Sequence, residues 1–186
     1  MSALQALVTL AAPPRPPRRG DVSWAQVYDG LGTRLPADYV ALISHVGAGL
    51  LGCREWLGLA DPFQSGRPDG LLACATDAGD AYRCLRDGPP EFHGLGFPDD
   101  YPRAAWPEPG GFLACASTRD GDYLGWLTVG GPEQWPVMVW PQQADGDTLI
   151  DLPLTEVLLR WLHGDLDLPG LPRCLVNHEH RQFASW

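Results

Sequence analysis

Carboxylate pairs are the first residues in this chain whose type and spacing could do chemistry. Asp120 and Asp122 flank Gly121, Asp99 adjoins Asp100, and Asp145 and Asp147 flank Gly146. Two carboxylates held close together can bind calcium or divide acid and base roles. His178 and His180 occupy alternate positions and would share one face of a strand, within reach of one metal ion. Cys115 offers a thiol. Trp106, Trp126, Trp135 and Trp140 would form a sugar-binding platform if their rings faced solvent.

Each group also has a plainer reading, and the plainer reading is the stronger one. Asp-Gly-Asp is tight-turn chemistry, because Asp and Gly tolerate the backbone angles that hairpin turns require. The histidine pair lacks a second pair of ligands and reads as a solvated tail. Cys115 lies inside an apolar run with no partner histidine indicated, so it reads as core. Trp126 falls within a strand-like run and faces the same way as its apolar neighbours, so packing is the better expectation. No G-x-S-x-G elbow, P-loop, dinucleotide fingerprint or H-E-x-x-H is present. The residues therefore predict no catalytic site, no metal and no cofactor: a protein that binds rather than an enzyme.

The elements that must carry these residues centre on positions 110–140. Residues 111–118, 123–129 and 135–140 are apolar runs of strand length, separated by Asp120-Gly121 and Gly130-Gly131-Pro132. That punctuation predicts an antiparallel meander. Alternation puts Tyr123, Gly125, Leu127 and Val129 on one face of the second run and Leu124, Trp126 and Thr128 on the other. Further strands are expected over 55–59 and 147–152.

Helical spacing marks four more segments, and an opening one. Leu4, Leu7, Val8 and Leu10 suit a short amphipathic helix, followed by a Pro/Arg-rich connector through residue 20. Asp21 or Ser23 can cap a helix carrying Trp24, Val27, Tyr28 and Leu31, closed by Gly32. Pro36 is expected at the first position of the next helix, with Asp38 in its first turn, Tyr39, Leu42, Ile43 and Val46 on one face, and glycines stopping it. His45 reads as a helix-end residue. Residues 68–87 look helical, with Leu71, Ala75, Ala78, Tyr82 and Leu85 on one side, although Gly79 weakens that pattern. Residues 88–109 read as a long surface connection. Leu154, Val157, Leu158, Trp161 and Leu162 mark a closing helix ended by Gly164, and Cys174-Leu175-Val176 should pack back onto the body. The expected fold is one α+β domain, with a mostly antiparallel sheet of about five to six strands flanked by helices.

Composition bounds the function. The chain has 186 residues, 45% of them hydrophobic, and a formal charge of −10. Arg15, Arg18 and Arg19 lie in the first twenty residues, which contain no acid, leaving 10 basic against 23 acidic residues beyond them. Such a body repels phosphate backbones and attracts a basic partner, so nucleic acid is not the expected ligand. Every basic side chain of the Lys/Arg type is arginine, which with abundant Ala, Gly and Pro suits a high-GC bacterial genome. The five cysteines are odd in number and scattered, which fits a reduced, cytoplasmic setting. The apolar opening is not preceded by positive charge, and no stretch is long enough to span a membrane.

Four segments in order resemble the SUKH superfamily, also described as SMI/KNR-type cell-wall-assembly regulators. The first is WAQVYDGLGTRLPADYVALISHVG, residues 24–47, with its Trp-bearing helix, Leu-Gly, Leu-Pro-x-Asp-Tyr and glycine-ended helix. The second is the following strand with Pro62-Phe63. The third is the Gly-Phe-Leu strand, Asp120-Gly121-Asp122, Trp126 and the segment Pro132-Glu133-Gln134-Trp135-Pro136-Val137. The fourth is the closing helix. The likeness spans residues 22–165, within a domain expected over 21–186. Tyr28-Asp29 stands where many relatives have Val-Glu, Val46 where an aromatic often precedes the glycine, and residues 66–109 match nothing in the pattern.

The resemblance implies a central sheet with flanking helices and, in bacteria, an immunity protein that neutralises a cognate toxin of a polymorphic or contact-dependent system, often a nuclease or deaminase. It implies no shared catalytic residues. The toxin would present a basic surface, and Asp99, Asp100, Asp120, Asp122 and Glu133 are the expected contact residues. A regulatory or scaffold role in the same family is the alternative.

Overall fold

A computed structural model describes residues 1–11, 22–52, 55–64, 70–88, 104–142, 148–176 and 183–185. Its centre is an antiparallel sheet of seven strands: β1 (Gly49–Gly52), β2 (Trp56–Leu59), β3 (Phe112–Thr118), β4 (Tyr123–Leu127), β5 (Val137–Trp140), β6 (Thr148–Ile150) and β7 (Phe183–Ser185). The strand order is β6-β5-β4-β3-β2-β1-β7. The expected meander forms its middle as β3, β4 and β5. Two strands exceed the expectation: β1, in a stretch read only as the glycine stop of a helix, and β7, which pairs with it near the end of the chain.

Among the described residues five α-helices accompany the sheet: α1 (Ala3–Leu10), α2 (Trp24–Leu31), α3 (Ala37–Val46), α4 (Leu71–Asp87) and α5 (Leu154–His163). Local chemistry explains the ends of α2. Ser23 and Gln26 form a reciprocal capping box, and Gly32 adopts the left-handed conformation at φ 69°. Ser23, not Asp21, is therefore the cap; Asp21 lies outside the described residues. The α5 helix also ends on a left-handed glycine, Gly164.

Cross-strand register sorts the sheet into two faces. Leu57, Leu59, Ala116, Leu124, Val139 and Val137 share one, against α1, α3 and α5. There Tyr39 of α3 meets Trp126 edge to face, with ring centroids 5.1 Å apart, and both are buried. The other face carries Phe112, Tyr123 and Trp140, covered by α4. Tyr82 of α4 lies edge-on to Trp140 at 5.7 Å. The result is one α+β domain in which helices sandwich a sheet.

Two glycines mark close approaches. A Cβ on Gly125 would sit 2.1 Å from the Leu113 carbonyl oxygen, and one on Gly79 would sit 2.6 Å from that of Trp106. Gly79 thus lets α4 approach the backbone before β3, where Arg83 also donates to the Trp106 carbonyl at 3.0 Å. The 88–109 stretch needs correction at its end. Ala105 and Trp106 are buried in the core, and Ala105 bridges to Phe112. Arg86 pairs with Glu108 at 3.0 Å and holds its carboxyl below the usual range, tying this segment to α4. Residues 89–103 lie outside the described residues.

Candidate functional site

The β3–β4 turn sets the geometry of Asp120 and Asp122. Asp122 is buried, only 5% exposed. The Thr118 hydroxyl donates to its Oδ2 at 2.7 Å, and the Gln142 amide donates to its Oδ1 at 2.9 Å. The Asp122 amide in turn donates to Thr118 Oγ1 at 3.1 Å. This carboxylate therefore closes its own turn and ties it to the chain leaving β5. As a residue that presents its charge to a partner it must be corrected: both oxygens are turned inward to backbone and hydroxyl donors. Asp120 is exposed. It rims a recess of about 380 Å³ whose walls include Glu55, Trp56, Arg119, Gly170 and Arg173.

Glu133 lies at the opposite end of β4, in a short 3-10 turn, Pro132–Gln134. Five strand residues at about 3.4 Å each separate the two turns by roughly 17 Å. Asp120 and Glu133 therefore do not join into one patch around a single turn. The Glu133 Oε1 accepts from the Ala37 amide at 2.9 Å. That amide is the first of α3, and the residue before it is Pro36, which has no side chain able to cap. An acid from another element fills the vacancy.

The same device recurs on α5, which follows Pro153. Asp38 Oδ2 accepts from the Thr155 amide at 2.9 Å and from its hydroxyl at 3.2 Å. Pro36 thus stands one place earlier than expected, at the N-cap, and Asp38 caps a neighbouring helix rather than only complementing its own dipole. Sequence spacing carries no sign of either link: Ala37 and Glu133 are 96 positions apart, and Asp38 and Thr155 are 117.

The other groups of chemical interest resolve toward packing where they are described. Trp106, Trp126, Trp135 and Trp140 are all buried, and the Trp135 indole donates to the Gly130 carbonyl at 3.1 Å. Cys115 is fully buried, and burial pushes its thiol well above the ordinary range. Cys74 is pushed up to about 12 by burial, with Asp77 adding to the shift, so neither thiol is a thiolate near neutrality. His45 ends α3, its Nδ1 2.8 Å from the Ala41 carbonyl. Among the described residues no group of three or more His, Cys, Asp or Glu could hold a metal ion, and no helix is long and apolar enough to cross a membrane. Asp99, Asp100, Asp145, Asp147, His178 and His180 lie outside the described residues.

Of the five expected contact acids, then, Asp120 faces solvent with no bonding role shown, Asp122 and Glu133 secure the fold, and two are not described. Glu55 and Trp56, which the structure brings beside Asp120, were not anticipated; they join through β2–β3 pairing, which no local motif announces. No family model, no curated protein and no solved structure matches the chain.

Proposed function

We propose that this chain is a non-catalytic binding protein: a bacterial, cytoplasmic immunity protein of the SUKH type that neutralises a cognate toxin by covering a basic, polyanion-shaped surface. The observation that carries the reading is the acid excess, 10 basic against 23 acidic residues after the first twenty. An inhibitor of that charge presents to a nuclease or deaminase what its polyanionic substrate presents, and draws it in at long range. The ordered SUKH-like segments support the same reading.

The recess beside the β3–β4 turn is the preferred contact surface. Asp120 and Glu55 are exposed there, Trp56 is half-buried as an aromatic anchor, and Asp122 holds the turn in shape. Co-expression with the product of the neighbouring gene tests the proposal. The wild-type chain is expected to restore growth and to co-purify with that product. Reversing both charges, Asp120→Arg with Glu55→Arg, is expected to weaken binding at least about tenfold in low salt with an unchanged circular dichroism spectrum. No rescue by the wild type sinks the immunity reading, and unchanged affinity of the double variant removes the recess from the interface.

A further inference from the structure

We propose that the groove between α2, α3 and the β4–β5 connection is a docking site for a partner's acidic side chain flanked by apolar residues, with Arg34 as its counter-charge. Among the described residues, Arg83, Arg86, Arg160 and Arg173 each hold a carboxylate, and Arg119 is also engaged. Arg34 differs from all of them. It is exposed, and its guanidinium has no hydrogen-bond or ion-pair partner among the described residues. On so acidic a protein, an arginine unpaired among the described residues stands out.

Its surroundings point to the missing partner. Arg34 borders a cavity of about 410 Å³, lined chiefly by Tyr28, Leu35, Val40, Pro132 and Glu133. The wall is mostly apolar. The Tyr28 phenol lies near enough for the Arg34 charge to act on it, opposing the upward shift that burial imposes. Glu133 is the acid in this wall, but its Oε1 is held by the Ala37 amide at the start of α3, where the helix dipole offsets its charge. Arg34 is thus the charged group of this groove with no bonding partner among the described residues, and a guanidinium fork matches a carboxylate better than any other common anion on a protein surface.

The groove is open to solvent, whereas sites for small molecules enclose most of their ligand. A protruding segment of a protein, with Glu or Asp beside an aliphatic residue, suits both its shape and its lining. On a partner that is basic overall, one acid seated on Arg34 would fix the register that long-range attraction leaves open. This rests on the reading of the chain as a binding protein and not on the identity of the toxin.

The test is a nuclear magnetic resonance titration of the full ¹⁵N-labelled chain with acetyl-Leu-Glu-Leu-amide and with its Gln counterpart, at millimolar concentration. The Glu peptide is expected to give saturable shifts at the Arg34 Nε and the Tyr28 and Val40 amides, about fivefold weaker with Gln. Arg34→Gln, an exposed change that breaks no bond among the described residues, is expected to abolish them. Equal response to both peptides, persistence in Arg34→Gln, or no saturable shift overturns the proposal. So does an equal response to acetate, which would mark a bare anion site, or shifts on dilution without peptide, which would mark self-association. Failure here leaves toxin rescue untouched; lost rescue with intact peptide shifts overturns the immunity reading alone.

Discussion

The two connections at either end of β4 are both short and both acidic, yet their acids act at different ranges. At the β3–β4 turn, Asp122 is buried and bonds within 20 positions of itself, to Thr118 and Gln142. At the β4–β5 connection, Glu133 is exposed and reaches 96 positions back to the first amide of α3. One acid closes a piece of sheet, and the other joins sheet to helix layer. The difference teaches that charge at a turn does not disclose its role. What decides is whether water can replace the bonds the carboxylate makes. Around Asp122 the Thr118 hydroxyl is enclosed with the carboxylate, so there it cannot; around Glu133 it can.

That contrast can be broken by four substitutions, largest first. Asp122→Ala should cost about 2–3 kcal/mol, since it leaves the buried Thr118 hydroxyl without its acceptor and removes the bond to the Gln142 amide. Urea unfolding should show a lower midpoint with an unchanged slope. Asp38→Ala, at a half-buried site, should cost about 1–2 kcal/mol by uncapping α5, with faster amide exchange at Thr155 as its signature. Glu133→Ala should cost under about 1 kcal/mol, and Asp120→Ala should stay within about 0.5 kcal/mol, with exchange at Ala37 accelerated only in the former. A Glu133→Ala loss as large as that of Asp122→Ala would mean that exposure does not discriminate between the two turns.

The legible parts of the fold share one property: their cause lies within a few residues. The N-terminal cap of α2, offered as Asp21 or Ser23, the glycine stops after α2 and α5, and the Asp-Gly punctuation between β3 and β4 are all local, and all were readable. Gly79 shows the limit. On helix propensity it weakens α4, but the Trp106 carbonyl 2.6 Å from where its Cβ would lie makes a small residue the one that fits. Ala105 and Trp106 were read as surface for a similar reason: Gly and Pro around them signal a connection, and burial against α4 and β3 is decided by packing. The β1 and β7 strands are only four and three residues long, too short for period-two alternation to register, and pairing sets them: β1 with β2 on one side and with β7 on the other.

The candidate site divides along the same line. Sequence alone determined the acidic balance, the turn that carries Asp120, and the strand alternation that sets Trp126 among apolar neighbours, because composition and short-range periodicity suffice for each. Only the tertiary structure decided that Asp122 and Glu133 hold the fold, that Asp38 caps α5, that Glu55 and Trp56 stand beside Asp120, and that Arg34 pairs with no acid among the described residues. Those outcomes depend on which donors end up enclosed together, and enclosure is a property of elements packed across a hundred positions rather than of any segment read by itself.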